Sequence, residues 1–336
     1  MQNTALASET SHPLPKMRAL IAEDIRHVNA LIIARAQHED VPLIGTMVQH
    51  VVLSGGKRLR PALTLIFSRL LGYEGKRHIT MATAIEFIHT ATLLHDDVVD
   101  DSHLRRGLAS ANDVWGNEAS VLVGDYLLSQ AFQMMVEDGS ISALKVLSDA
   151  SAIIAKGEVF QLTTRNSLET SEKDYLKVIK GKTATLFAAA CELGAIVADQ
   201  PEQQTPLYEA GMALGIAFQM MDDALDYSAE QQKLGKTVGD DFRDGKITLP
   251  VIHAYAQGNA EEKAFWEAHL GDDSQPGEAE LHKALALIHR HKSLEYTHQQ
   301  AEAYCNRAQN ALEAFPPSPE KAALEEIIHF CITREY

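Results

Sequence analysis

The sequence predicts an all-α protein, a large helical bundle around a central cavity, and three observations carry that prediction. Apolar residues recur at three- and four-residue spacing from Met17 onward, the period of an amphipathic helix. Convincing alternating strands are absent, as are hairpins built on Asn-Gly or Asp-Gly. Glycines and prolines punctuate the periodic runs at Gly55-Gly56, Gly72, Gly107, Gly139, Pro201, Gly235 and Pro316-Pro317, where they act as breakers.

Residues 1–15, with Ser8, Thr10, Ser11, Pro13 and Pro15, read as a flexible tail. Helices 17–37 and 41–53 precede Gly55-Gly56. The next, 61–72, opens on Pro61, whose missing N–H is no loss at a helix start, and stops at Gly72. Helix 76–101 carries Asp96-Asp97-Val98-Val99-Asp100. A short helix 112–115 follows Gly107, and 119–137 ends before Gly139. Helices 141–164 and 172–198 precede Pro201, and 203–227 carries Asp222-Asp223-Ala224-Leu225-Asp226. Past a Gly- and charge-rich loop come 246–256, 260–269, 277–289 and 292–314, and after Pro316-Pro317 a last helix, 319–333. A prior of ~150 residues per domain suggests two domains, yet no linker supports a split, so 16–336 is expected to be one domain.

A chain of 336 residues with 46% apolar content can bury a large core. Its net charge of −16 argues against nucleic-acid binding, which needs clustered Lys and Arg. Cys191, Cys305 and Cys331 are odd in number, widely spaced and without metal-ligand patterns, which fits a reducing cytoplasm. No signal peptide is evident, and no apolar run approaches the ~18–20 residues of a transmembrane segment.

The duplicated aspartate triplet carries the chemistry. At ~100° per residue, Asp96 and Asp100 lie within about 40° of each other on a helix, with Asp97 about a quarter turn away. The same holds for Asp222, Asp226 and Asp223. Carboxylates in such apolar runs are costly unless something positive meets them. Hard oxygen ligands that leave room for water suit Mg²⁺ shared with phosphate oxygens. A solvated helix face or structural ion pairs is the alternative for either copy alone.

Positive charge is concentrated at Gly55-Gly56-Lys57-Arg58-Leu59-Arg60-Pro61, before a helix N-terminus that itself favours anions; a basic surface turn is the other reading. His89 precedes Asp96 by seven residues and shares its stripe. Arg105 and Arg106 follow the first triplet, with Gly107 ending the helix or turning the next loop. Gly235-Lys236 and Gly245-Lys246 trail the second, and Lys182-Thr183 follows Gly181 within a helix.

Together these residues resemble the trans-isoprenyl diphosphate synthases, most closely the long-chain, octaprenyl-type branch. The shared motifs are Gly-Gly-Lys-Arg-Leu-Arg-Pro at 55–61, Leu-Leu-His-Asp-Asp-Val-Val-Asp-Asp at 93–101, Leu-Arg-Arg-Gly at 104–107, Gly-Asp-Tyr-Leu at 124–127, Lys-Thr at 182–183, Phe-Gln-Met-Met-Asp-Asp-Ala-Leu-Asp-Tyr at 218–227, and Gly-Lys-x-Val-Gly-Asp-Asp from 235. Ile247 where many members have proline, and Asp101 where Glu is common, are minor departures.

The resemblance implies an isoprenoid synthase-type helical bundle around a central deep cavity. It implies a prenyltransferase that condenses isopentenyl diphosphate onto an allylic diphosphate, giving a chain of about eight isoprene units for a quinone. Both triplets would hold Mg²⁺, three ions with substrate bound, and would be catalytic together with Lys182. Arg105, Lys182, Thr183, Gln219, Lys236 and Lys246 would grip the allylic diphosphate. Lys57, Arg60, His89 and Arg106 would bind isopentenyl diphosphate. A 235–246 lid would exclude water. Small Ala91 and Thr92 beneath Asp96 leave a tunnel open for the growing chain, with Ile88, Phe132, Met134 and Met135 as floor residues, ordinary core being the alternative for each. A homodimer is expected on family grounds, with the apolar helices at 112–137 available for the interface. A terpene cyclase is the chief rival, but it pairs one Asp-rich motif with an Asn/Ser/Glu-type motif and lacks a clamp such as Lys57–Arg60.

Overall fold

The computed structural model describes residues 14–53, 56–105, 107–228, 238–271 and 276–333. In chain order the elements are α1 (Pro15–Ala36), α2 (Pro42–Leu53), α3 (Leu59–Leu70), α4 (Arg77–Val99), β1 (Leu104–Arg105), β2 (Leu108–Ala109), α5 (Ala111–Trp115), α6 (Asn117–Asp138), α7 (Ile141–Thr164), α8 (Glu172–Ile179), a π-helical turn (Lys180–Ala184), α9 (Thr185–Val197) and α10 (Pro201–Asp226). Then follow α11 (Asp240–Arg243), α12 (Leu249–Gln257), α13 (Ala260–His269), α14 (Glu278–Arg290), α15 (Ser293–Leu312) and α16 (Pro319–Thr333). The all-α prediction holds. The strand content of the described residues is one antiparallel pair, Leu104 opposite Ala109 and Arg105 opposite Leu108.

By internal contacts the chain forms two units. The first comprises Met1–Asp149, Ala189–Tyr208 and Phe315–Ile327; the second comprises Ala150–Ala188, Glu209–Ala314 and Ile328–Tyr336. In the first, α4 packs against α6, α3 and α1 and buries Ile32, Leu63, Phe67, Phe87, Leu127 and Met134, each contributing roughly 1.5–3 kcal/mol. Gly194 allows a close helix approach here, because a Cβ at that position would lie 2.5 Å from Phe67 Cβ. The Thr64 hydroxyl donates to the Ala190 carbonyl nearby, at 2.9 Å.

In the second unit, Phe242, Val251, Trp266, Leu270, Leu281 and Leu287 form a core, and α12 packs on α15, α14, α13 and α8. Ser171 caps α8 by accepting from the Asp174 N–H, and an Asn259–Glu262 capping box starts α13. Each satisfies backbone donors that a helix start otherwise orphans.

Four local features depart from the sequence reading. Helix α3 starts at Leu59, so Pro61 is its third residue; its missing N–H is still one that no intrahelical partner claims. Arg58 sits in the left-handed region, φ 50°, as the residue before that helix. Helix α4 ends at Val99, leaving Asp100 as its C-cap. Gly107, φ 78°, turns the small hairpin, the second of the two roles open to it from the sequence. The expected helix 172–198 is interrupted by the π-helical turn, which inserts a residue. Finally, the expected loop before 246 contains the single turn α11, and the following helix begins at Leu249 instead of 246.

Candidate functional site

The two aspartate triplets fall in different units, and each is built with its own cationic or polar partners. In the first unit, Arg58 is an anchor. Its guanidinium pairs with buried Glu86 on α4 and donates to the Val52 carbonyl at 2.8 Å. That fixes the basic turn one helical turn before His89. Arg60 Nη1 then lies 3.2 Å from His89 Nε2, so two residues 29 positions apart are brought together. Lys57, half-buried, lies on the same turn. Arg106 lies outside the described residues.

Asp97, 2% exposed, is the most enclosed carboxylate of the first triplet. Arg105 holds it through Nε at 2.8 and 2.9 Å and Nη2 at 2.5 Å. The hairpin turned by Gly107 presents that guanidinium; sequence reading placed Arg105 on substrate phosphate and missed this partner. Asn112 and the Ser102 N–H donate to the Asp97 carbonyl, tying down the end of α4. The glycine of the Gly-Asp-Tyr-Leu motif has a packing reason: a Cβ on Gly124 would sit 2.3 Å from His95 Nε2. That ring in turn contacts Asp125 Oδ1 at 3.3 Å.

Of the expected tunnel residues, Ile88, Ala91, Met134 and Met135 are buried, on the packed pair α4 and α6. Thr92 is half-buried, and its hydroxyl donates to the His89 carbonyl at 2.8 Å. Phe132 differs: it is 36% exposed, because about 200° of helix separates it from Met134.

In the second unit, α10 presents Gln219, Asp222, Asp223 and Asp226. Asp223, 4% exposed, accepts from the Tyr175 hydroxyl at Oδ2 and from Gln219 Nε2 at Oδ1, both at 2.7 Å. Thr183, on the π-helical turn, donates to Gln219 Oε1 at 2.7 Å. Lys182, on the same turn, donates from Nζ to Glu158 and Gln161 of α7 at 2.9 and 3.0 Å. Asp226 accepts from the backbone N–H groups of Asp240 and Asp241, at 3.3 and 3.0 Å, and so caps α11 from outside. Lys246 reaches Asp244 at 2.9 Å and Asp241 at 3.8 Å. Lys236 and the first part of the expected 235–246 lid lie outside the described residues.

Tyr175, Glu158 and Asp241 are members of this arrangement that the sequence reading did not single out. Asp241 had a legible signal, a second acidic pair trailing the triplet. Tyr175 and Glu158 had none, since their partners are 48 and 24 residues away.

The electrostatics of this half ask for a cation. Burial, then Asp241, pushes the Asp223 carboxyl well above the usual carboxylate range, and the same two causes raise Asp226. Asp241 is itself pushed up by burial despite Lys246. A divalent ion fits such a donor set of hard oxygens. Among the described residues no three acidic, His or Cys side chains are already gathered to hold a metal ion.

Comparison with known proteins agrees with this chemistry. The family model for polyprenyl synthetase matches residues 41–288. The chain is 45% identical over 325 residues to the octaprenyl diphosphate synthase of Haemophilus influenzae, covering 96% of this chain and 98% of that protein. Among solved structures, it is similar to a decaprenyl diphosphate synthase from Rhodobacter capsulatus, with TM-score 0.91, 45% identity, and 95% and 98% of the two chains covered. It is also similar to a polyprenyl synthase from Caulobacter crescentus complexed with calcium and isoprenyl diphosphate, with TM-score 0.92, 44% identity, and 96% and 98% covered.

Proposed function

Because the chain belongs to the polyprenyl synthetase family, we propose that it is a long-chain trans-polyprenyl diphosphate synthase whose product has about eight isoprene units, destined for a quinone side chain. The observation that carries this reading is a cationic pair suited to a diphosphate, Arg60 with His89, on the helix of the first Asp triplet, in addition to the buried carboxylates of the second triplet, where the electrostatics favour a cation. A head-to-tail condensation has two diphosphates to hold, and a cyclase has one.

Asp96, Asp97, Asp100, Asp222, Asp223 and Asp226 hold magnesium, three ions in all with substrate bound. Magnesium, when bound, supplies positive charge that stabilises the departing diphosphate. Lys182, Thr183, Gln219, Lys236 and Lys246 grip the allylic diphosphate, joined by Arg105, which also orients Asp97. Lys57, Arg60, His89 and Arg106 bind the isopentenyl diphosphate and hold its double bond in line for attack. The released diphosphate takes the final proton. Ala91 and Thr92 leave space for the growing chain, and Ile88, Met134 and Met135 bound it.

A homodimer in the cytoplasm completes the proposal. Among the described residues no helix is long and apolar enough to cross a membrane. The exposed apolar side chains Val114, Val121, Leu122, Phe132 and Val136 on α5 and α6 form the face that a second copy covers.

The test is incubation of the purified protein with isopentenyl diphosphate, farnesyl diphosphate and Mg²⁺, with products read by mass spectrometry. A ladder of linear diphosphates ending near eight units is expected. A cyclised hydrocarbon, or no product from folded protein, would overturn the reading. Sedimentation of the same sample at twice the chain mass of 36.9 kDa tests the dimer.

A further inference from the structure

We propose that Tyr175 is a positioning residue for the reaction, its phenol hydroxyl holding the Asp223 carboxylate in the orientation that a metal-bound diphosphate requires. The inference rests on the reading above that Asp223 belongs to the metal-holding triplet.

Two middle aspartates, treated differently, motivate it. Asp97 meets the cationic Arg105, which offsets its charge. Asp223 is equally enclosed, yet the donors on its two oxygens, Tyr175 and Gln219, are neutral. Neutral donors satisfy lone pairs and fix the carboxylate plane without cancelling the negative charge. The charge is therefore left for a cation, while the geometry is set in advance.

The placement of Tyr175 makes the hold specific. Its side chain is buried on α8, and a phenylalanine would fill the same core without the hydroxyl. Eight residues later on the same run of helix, Thr183 donates to Gln219 at 2.7 Å. The Gln219 amide is thereby turned so that its NH₂ faces Asp223. Thus α8 and the π-helical turn grip α10 at Gln219 and Asp223, one turn apart. Rotation of the carboxylate would break the 2.7 Å bond to Gln219, the 2.7 Å bond to Tyr175, or both, in the chain Thr183–Gln219–Asp223–Tyr175.

The experiment uses the full chain and inorganic diphosphate. Mg²⁺ is titrated calorimetrically into protein with saturating diphosphate for wild type, Tyr175→Phe, Asp223→Asn and the double variant, with circular dichroism to confirm folding. Loss of a hydrogen bond to a charged group should raise the half-saturating Mg²⁺ for Tyr175→Phe roughly tenfold or more. Turnover should fall as well, with the KM for isopentenyl diphosphate unchanged. In the Asp223→Asn background the Tyr175→Phe change should add nothing. Should the Phe variant fold poorly, Tyr175→Leu, which also lacks the hydroxyl, must give the same shift. Wild-type Mg²⁺ affinity in Tyr175→Phe, or additive effects in the double variant, would overturn the proposal. Absence of any Mg²⁺–diphosphate binding in wild type would instead remove the functional reading beneath it.

Discussion

Replacing Gly157 with alanine should leave the protein folded while cutting its turnover. Gly157 lies on α7 against the π-helical turn. A Cβ there would sit 2.9 Å from Gly181 C and Lys182 N and 3.0 Å from Gly181 Cα. Carbon contacts are optimal at about 3.5–4.0 Å, and all three atoms are backbone, so no side chain can swing aside. The two segments must part by roughly 0.5–1 Å. Overpacking of this kind costs about 1–3 kcal/mol, against which alanine returns about 1 kcal/mol of helix propensity. The net loss is therefore about 0–2 kcal/mol, which a chain of this size tolerates. The functional cost is larger. Glu158 and Gln161 on α7 hold Lys182 Nζ at 2.9 and 3.0 Å, and parting α7 from the turn stretches both bonds. A misplacement of about 1 Å costs on the order of 10²-fold in rate. Steady-state kinetics with farnesyl and isopentenyl diphosphates, beside a melting curve, decide the matter. Wild-type kcat/KM together with a raised Tm would show that the close approach has no role in placing Lys182.

Three further predictions concern the first triplet's unit and the metal chemistry. Ala91→Phe puts a large ring into the buried face of α4 and should shorten the product to about three or four isoprene units, at an overpacking cost of about 1–3 kcal/mol; an unchanged product distribution would remove the tunnel. Asp96→Ala and Asp222→Ala should each lower turnover by at least about 10²-fold, an effect on the scale of a lost electrostatic contact at the reacting centre, and near-normal rates in either would contradict a role for that triplet. Asp24 is buried, which by itself raises its pKa, but hydrogen bonds from His78 and Arg69 hold it below the ordinary 3.8. A carboxylate so depressed adds stability above pH 3.8 that is lost as pH falls through its folded value. Asp24→Asn should thus cost about 1–3 kcal/mol near neutral pH and progressively less as pH falls from 3.8 through the folded value, as urea unfolding across an acid pH series will read; a pH-independent difference would refute the ion pair's role.

Much of this molecule is legible in the linear order of residues, because helical periodicity and aspartate spacing are local properties. The helix over 141–164 matches α7, and that over 319–333 matches α16. The triplets fall where expected, at the ends of α4 and α10. Ends fixed by contacts elsewhere were less legible. The start of α3 moved to Leu59 because Arg58 is held by Glu86, 28 residues away. The π-helical turn was invisible because residues 183–191 are all buried and leave no one-sided stripe whose phase an inserted residue could shift; the close approach of Gly157 to Gly181 beside it joins distant segments.

The sequence by itself determined the helices, the acidic motifs and the chemistry they imply, since residue type and spacing are enough to specify a face that carries carboxylates. Only the tertiary structure decided how each carboxylate is held. Arg105 turns back onto Asp97, Tyr175 and Gln219 take the two oxygens of Asp223, and Asp226 caps α11. Partner choice among buried polar groups depends on which donors lie within about 3 Å after packing, and packing brings together residues whose separation along the chain says nothing of that distance.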